Sequence, residues 1–257
     1  MAGVIRERDG AVGILTMDEA ASLNAMTPDL LGDLAAAIGA MTADPEVRAL
    51  VLTGAGRGFS SGQNLKAFES LGSDIVAGVM KHYWPAFNGL RTCRVPVVVA
   101  VNGVAAGGGF SLAMSGDMIV AAQSASFIQV FSRIGLVPDL GSTWLLPRLI
   151  GRQRALELML FNQPLPAEKA KQWGIVHEVF EDGALRAGAL ALAHKLALGP
   201  TRALVATRRL LEESDLATYA DQFRREIEVQ SEIRDSADAL EGRSAFVEKR
   251  PARFTGR

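Results

Sequence analysis

Two glycine-rich stretches are places where the main chain itself can do chemistry. The first runs from Gly54 to Lys66 (GAGRGFSSGQNLK) and the second from Asn102 to Phe110 (NGVAAGGGF). Each follows an apolar run that reads as a buried strand and precedes a helical run. That order leaves free backbone N–H groups at a helix start, where negative charge is stabilised. Glycine also lets backbone approach a ligand closely. Taken singly, either loop reads equally well as a tight turn that needs glycine for packing.

Other chemistries find little support. Gly54, Gly56 and Phe59 break the dinucleotide fingerprint, because Phe59 stands where the third glycine belongs. No Walker A pattern occurs. Ser111 lies near the second loop, but its surroundings do not form a nucleophile elbow. His82, His177 and His194 have no suggestive neighbours, and no metal-ligand spacing occurs. The lone cysteine, Cys93, reads as a small core residue.

The elements that must position these loops can be read from pattern. Asp9-Gly10 separates two short strand-like runs, Val4 to Arg8 and Val12 to Met17, as in a hairpin. Thr27-Pro28 opens a helix, with Thr27 as cap and Pro28 in the first turn. Arg48 to Thr53, Pro96 to Val101 and Met118 to Ala122 read as largely buried strands. A helical stretch covers Ile75 to Arg91, and a short helix follows the second loop. Strands alternating with helices indicate an α/β fold. From Gly141 onward helical patterns dominate, broken by a strand at Ile175 to Val179. Thr201 to Arg234 reads as amphipathic helix.

The chain has 257 residues, with 27 Lys+Arg against 28 Asp+Glu, so no global field attracts nucleic acid. An anionic ligand must be caught locally. A single cysteine excludes a disulfide within the chain and fits a reducing compartment. Residues 1–10 carry four charged side chains and no apolar core of a signal peptide. The longest apolar run, Val95 to Ala106, is too short to span a bilayer. The expectation is a cytoplasmic protein bound to neither membrane nor nucleic acid.

Both loops, in this order, resemble the crotonase (enoyl-CoA hydratase/isomerase) superfamily. Gly58 to Lys66 is similar to its first oxyanion segment and Val99 to Gly109 to its second. Ser22 to Met26 (SLNAM), Asp117, Ile134 to Arg148 (IGLVPDLGSTWLLPR), Lys169 to Val176 and Glu241 to Pro251 extend the likeness over nearly the whole chain. The resemblance implies a spiral of ββα units over residues 1–195. Residues 196–257 would be helical and build a homotrimer or a dimer of trimers. It implies an acyl-CoA thioester as ligand, with coenzyme A part of the substrate and no separate cofactor. The backbone N–H groups of Gln63 and Gly108 would hold the thioester oxygen. Leu23, Asn64, Leu65 and Lys66 join them as substrate-binding positions. Lys66 suits a CoA phosphate, or is simply a solvated surface lysine. Asn64 departs from the aspartate found in the family at that place.

The acid/base positions narrow the reaction. Hydratases of this family carry two glutamates, at the places held here by Ser111 and Phe131. Isomerases similar to this chain, the ring-epoxide type above all, carry one acidic residue where Asp139 stands. One carboxylate suits moving a proton between two carbons. Val137, Leu140 and Trp144 could desolvate it. Asp139 also reads as the cap of a helix starting near Gly141, a role that can coexist with catalysis. The expectation is an acyl-CoA isomerase. The alternatives are a hydratase, lyase or hydrolase that uses Asp139, or a non-catalytic CoA- or RNA-binding scaffold. The acyl-pocket wall is expected around Ile75 to Phe87.

Overall fold

The computed structural model describes residues 3–68 and 71–257, so the reading of the N-terminus falls partly outside it. One sheet has six strands, in the order β1 (Gly3–Asp9), β2 (Val12–Asp18), β3 (Ala49–Gly54), β5 (Val97–Val101), β7 (Met118–Ala122) and β10 (Glu178–Phe180). The other has four, in the order β4 (Gly58–Ser60), β6 (Val104–Ala106), β8 (Ser126–Ile128) and β9 (Leu165–Pro166). The chain therefore steps from the larger sheet to the smaller and back: β3 to β4, β5 to β6, β7 to β8. Pairing is parallel between β3 and β5, β5 and β7, β4 and β6, and β6 and β8. This is the expected spiral of ββα units.

Local signals place the first elements. Asp9 pairs with Val12, so Gly10 and Ala11 form a two-residue turn, with Gly10 at φ +57°. Thr27 Oγ1 accepts from the Leu30 N–H at 3.1 Å and caps α1 (Pro28–Ala43). All five side chains of β5 are buried, as a strand covered on both faces requires. Cys93 is buried in the core.

Helices fill the returns. After β4 come α2 (Leu65–Phe68), α3 (Ile75–His82) and α4 (Trp84–Arg91); after β6 comes α5 (Gly108–Ala113). After β8 come α6 (Ser142–Ile150) and α7 (Arg152–Phe161), and after β9 comes α8 (Ala167–Gln172). The chain ends with α9 (Leu185–Ala197), α10 (Thr201–Ser214), α11 (Tyr219–Ile233) and α12 (Ala237–Val247).

Four readings are refined. Both glycine loops contain a three-residue strand, β4 and β6. The stretch 75–91 breaks at Tyr83, ahead of Pro85, which lacks the N–H to continue the ladder. The stretch 201–234 is two helices, the second capped by Thr218 Oγ1. The late strand forms at Glu178–Phe180, beside β7. Among the described residues no helix is long and apolar enough to cross a membrane.

Candidate active site

The N-terminal segment aligns the first loop. Leu23 and Asn24 both take left-handed backbone, at φ 55° and 54°. This turns the buried Asn24 amide onto the loop. Its Nδ2 donates to the carbonyls of Ala55 (3.0 Å) and Gly58 (2.8 Å), and its Oδ1 accepts from the Glu19 N–H at 2.8 Å. Two residues on, Met26 donates to the Gly62 carbonyl (2.7 Å) and accepts from the Asn64 N–H (3.0 Å). Both bonds go to the neighbours of Gln63, so the Gln63 N–H faces away from Met26. Asn64 Oδ1 then accepts from the N–H groups of Lys66 and Ala67, at 3.1 and 3.2 Å, and caps α2. Leu65 and Lys66 are exposed on the outer side of this loop.

The second loop brings another free N–H close to the first. Gly107 sits at φ 52°, ψ −122°, backbone that favours glycine, and Gly108 begins α5. The first N–H groups of a helix have no partner within it. A side-chain carbon on Gly62 would lie 2.5 Å from the Ala106 carbonyl oxygen and 3.4 Å from the Gly108 nitrogen. The two loops thus touch backbone to backbone. Among the described residues, neither the Gln63 nor the Gly108 N–H donates to a protein acceptor.

Asp139 arrives from a third segment. Leu140 at φ 51° and Gly141 at φ 83° turn the chain sharply into α6. Leu140 holds this backbone without being glycine, a strain that the surrounding packing must enforce. The Asp139 carbonyl accepts from the Ser142 N–H at 3.0 Å and from Ser111 Oγ at 3.2 Å. Gly141 is the cap residue of α6, and no side chain caps that helix, so the Asp139 carboxylate is not used there. A side-chain carbon on Gly108 would lie 2.9 Å from Leu140 Cδ1, which puts Asp139 next to the second loop.

The carboxyl keeps a path to solvent, yet the protein around it removes enough water to push it up to about 6. Its own backbone N–H pulls the other way. Of the expected apolar neighbours, Leu140 and Trp144 are partly buried, whereas Val137 is 78% exposed.

Sequence reasoning passed over Tyr83. It is fully buried, and its hydroxyl accepts from Gln63 Nε2. Burial pushes the phenol up, the Gln63 amide offsets part of that, and the charge of Asp139 adds to the rise. Tyr83 therefore anchors the Gln63 side chain of the first loop to the helix break at α4. Its only signal was its place before Trp84-Pro85, at a helix break.

A cavity of about 400 Å³ adjoins Leu140 and Gly141. Val79, Met80, Trp84 and Phe87 form one wall, as expected, and Trp144 and Leu145 form another. Its size and apolar lining suit a small organic group. A larger cavity of about 560 Å³ lies away from both glycine loops, between α6 and α10. Ser111 is fully buried and Phe131 nearly so, and neither position offers a carboxylate. Among the described residues no three His, Cys, Asp or Glu side chains gather as a metal site.

Comparison with known proteins agrees with this layout. The sequence model of the family described as Enoyl-CoA hydratase/isomerase matches residues 7–257. A 1,2-epoxyphenylacetyl-CoA isomerase of Escherichia coli is 39% identical over 99% of this chain and 98% of its own length. A probable enoyl-CoA hydratase of Rhodobacter capsulatus is also 39% identical, over 96% of this chain and 95% of its own. Among solved structures, an enoyl-CoA hydratase from Polaromonas sp. JS666 superposes with a TM-score of 0.92 at 30% identity, covering 98% of this chain and 99% of that one. One from Bacillus anthracis gives 0.91 at 26% identity, covering 99% of each chain.

Proposed function

The chain belongs to the enoyl-CoA hydratase/isomerase family, and on that footing we propose that it is an acyl-CoA isomerase. The N–H groups of Gln63 and Gly108 hold the thioester oxygen. Asp139, ionised, takes a proton from the carbon beside the thioester carbonyl. The electron pair moves onto the oxygen, where the two fixed donors stabilise it without reorganising. Asp139 then returns the proton to a carbon further along the chain, and the double bond ends in conjugation with the thioester. Rearrangement of a strained ring uses the same enolate. Lys66, on the outer side, meets the phosphates of coenzyme A.

The observation that carries this reading is the Asp139 carboxylate, on the segment whose Leu140 packs against Gly108, with Ser111 and Phe131 in the two positions where the family's hydratases carry glutamate. Hydration needs one group to activate water and another to protonate carbon. A second reading, hydration by Asp139 alone, is favoured by the hydratase name of an equally similar relative. Exposed apolar side chains on the last helices, among them Leu211, Phe223, Ile227 and Phe246, support assembly as a trimer or a dimer of trimers. A monomer mass by light scattering at micromolar concentration would refute that assembly.

The test of the reaction is mass spectrometry of acyl-CoA products in deuterated water, with 3-enoyl-CoA and 2-enoyl-CoA supplied separately. Deuterium uptake without added water, slowed roughly 10²-fold in Asp139→Asn, supports the isomerase. A product heavier by one water from 2-enoyl-CoA makes the protein a hydratase.

A further inference from the structure

We infer that Trp144 is the partition that sets the length of acyl chain this protein accepts. The inference rests on the reading above, that the 400 Å³ cavity beside Leu140 receives the acyl group. That cavity and the 560 Å³ cavity share four lining residues, Arg91, Ser115, Trp144 and Leu145. These four therefore lie between the two spaces. Trp144 is the largest of them, and its ring is the main obstacle to a chain growing from one cavity into the other.

The indole is held in place. The Arg148 guanidinium carbon lies 4.1 Å from the ring centroid, and that of Arg91 lies 5.1 Å away. Both distances suit attraction of a cation to an aromatic face. Each guanidinium is fixed in turn by a carboxylate at the end of α10. Arg91 pairs with Glu212 at 2.8 Å and Arg148 with Asp215 at 3.1 Å. Neither pair is fully exposed, so solvent weakens them less than surface pairs. Beyond the partition the larger cavity offers Leu149, Leu204 and Leu211, a lining that suits methylenes. A short or cyclic acyl group ends against Trp144; a long chain has a further apolar space that the indole closes off.

The test is binding of saturated acyl-CoAs of increasing length, which involves no chemistry, measured by calorimetry on the full chain. With the wild type, each methylene tightens binding about fourfold until the chain meets Trp144, and then affinity levels off. Trp144→Ala moves that plateau to longer chains, with about fourfold gained for each further methylene. Trp144→Phe keeps a ring in place should the alanine variant fail to fold, and shifts the plateau by a smaller step. The same plateau length in wild type and in the folded variants overturns the inference. Length-dependent binding without isomerisation overturns only the isomerase reading, and absence of any acyl-CoA binding overturns both.

Discussion

Ser111 Oγ donates to the main-chain carbonyl of Asp139 across 3.2 Å, linking the helix behind the second glycine loop to the segment that carries the carboxylate. The bond is buried at the serine end. It acts on a stretch whose next two residues both hold left-handed backbone. A hydroxyl at this place thus fixes the origin of Asp139, whereas a glutamate would offer a second acid. Loss of such a bond is worth about 1 kcal/mol, roughly fivefold if it is expressed in the transition state. Ser111→Ala should therefore lower kcat by roughly fivefold and leave KM within about twofold. Ser111→Thr, which keeps the hydroxyl, should recover most of the loss. Equal kcat in wild type and the alanine variant would show that the bond positions nothing.

The raised carboxyl of Asp139 predicts the acid side of the pH profile. In the proposed mechanism Asp139 works ionised, so kcat/KM should rise with pH through a midpoint near 6 and fall about tenfold per unit below it. The same shift has a stability sign. Asp139 is raised from 3.8 to about 6 on folding, so between those values the folded state binds more protons than the unfolded. The ionised side chain therefore costs stability, progressively as pH rises through this window and fully above it. Asp139→Asn should melt with wild type below pH 4. At pH 7 to 8 it should melt roughly 2–4 °C higher, corresponding to ~1 kcal/mol after discounting for the carboxyl's access to solvent. Calorimetric scans at the two pH values check this, and a variant that melts lower at pH 8 contradicts it.

Two glycines at the meeting of the loops should fail in different ways. A side-chain carbon on Gly62 meets backbone, the Ala106 carbonyl at 2.5 Å, and Gly62 itself sits at φ 89°. Nothing there can give way cheaply. On Gly108 the same carbon meets the flexible tips of Met26 and, at 2.9 Å, of Leu140. Gly62→Ala should lose several kcal/mol of stability together with activity. Gly108→Ala should fold with a smaller loss, about 1–2 kcal/mol, yet drop kcat by 10²-fold or more. The activity drop follows because Leu140 is bonded directly to Asp139. Urea unfolding beside steady-state rates separates the two, and a fully active Gly108→Ala would deny that the carboxylate depends on this contact.

What the sequence made legible follows the range of the interactions. Thr27, Pro28 and the Asp9-Gly10 hairpin signal act within a few residues; the structure places Thr27 and Pro28 as read and the turn one residue on, at Gly10 and Ala11. The buried strands declared themselves through unbroken apolar runs. The three-residue strands β4 and β6 did not, because their pairing spans about 45 residues and their glycines carry no period. At the site, the glycine loops and Asp139 were legible as residue types and through resemblance to a family. The Gln63 to Tyr83 bond and the Ser111 to Asp139 bond were not, because each joins segments 20 or 28 positions apart.

The C-terminal helices are tied to the core by a pair that can be tested directly. Arg208 on α10 meets Asp117 at 2.9 Å and also donates to the Cys93 carbonyl. Asp117 in turn accepts from the Val97 N–H at 2.7 Å, at the start of β5. Burial pushes the Asp117 carboxyl up; Arg208, and after it the Val97 N–H, pull it back down. Arg208→Met removes the largest opposing influence and leaves a desolvated carboxylate. At pH 7 this should cost about 2–3 kcal/mol, toward the lower end for a buried pair losing one partner because both side chains keep some solvent. The folded-state value of Asp117 rises further in the variant, so the penalty grows as pH climbs through the ordinary carboxylate range. Below that range Asp117 is protonated in both states, and the penalty shrinks to the lost packing and the lost Cys93 bond. Asp117→Asn combined with Arg208→Met should be less unstable at pH 7 than Arg208→Met alone, because no charge is left stranded. Urea titrations of the three proteins at pH 4 and pH 7 decide it. If Arg208→Met is equally unstable at both, packing of the guanidinium rather than its charge holds α10 in place. In that case the Glu212 and Asp215 clamps on Trp144 would be displaced equally at either pH.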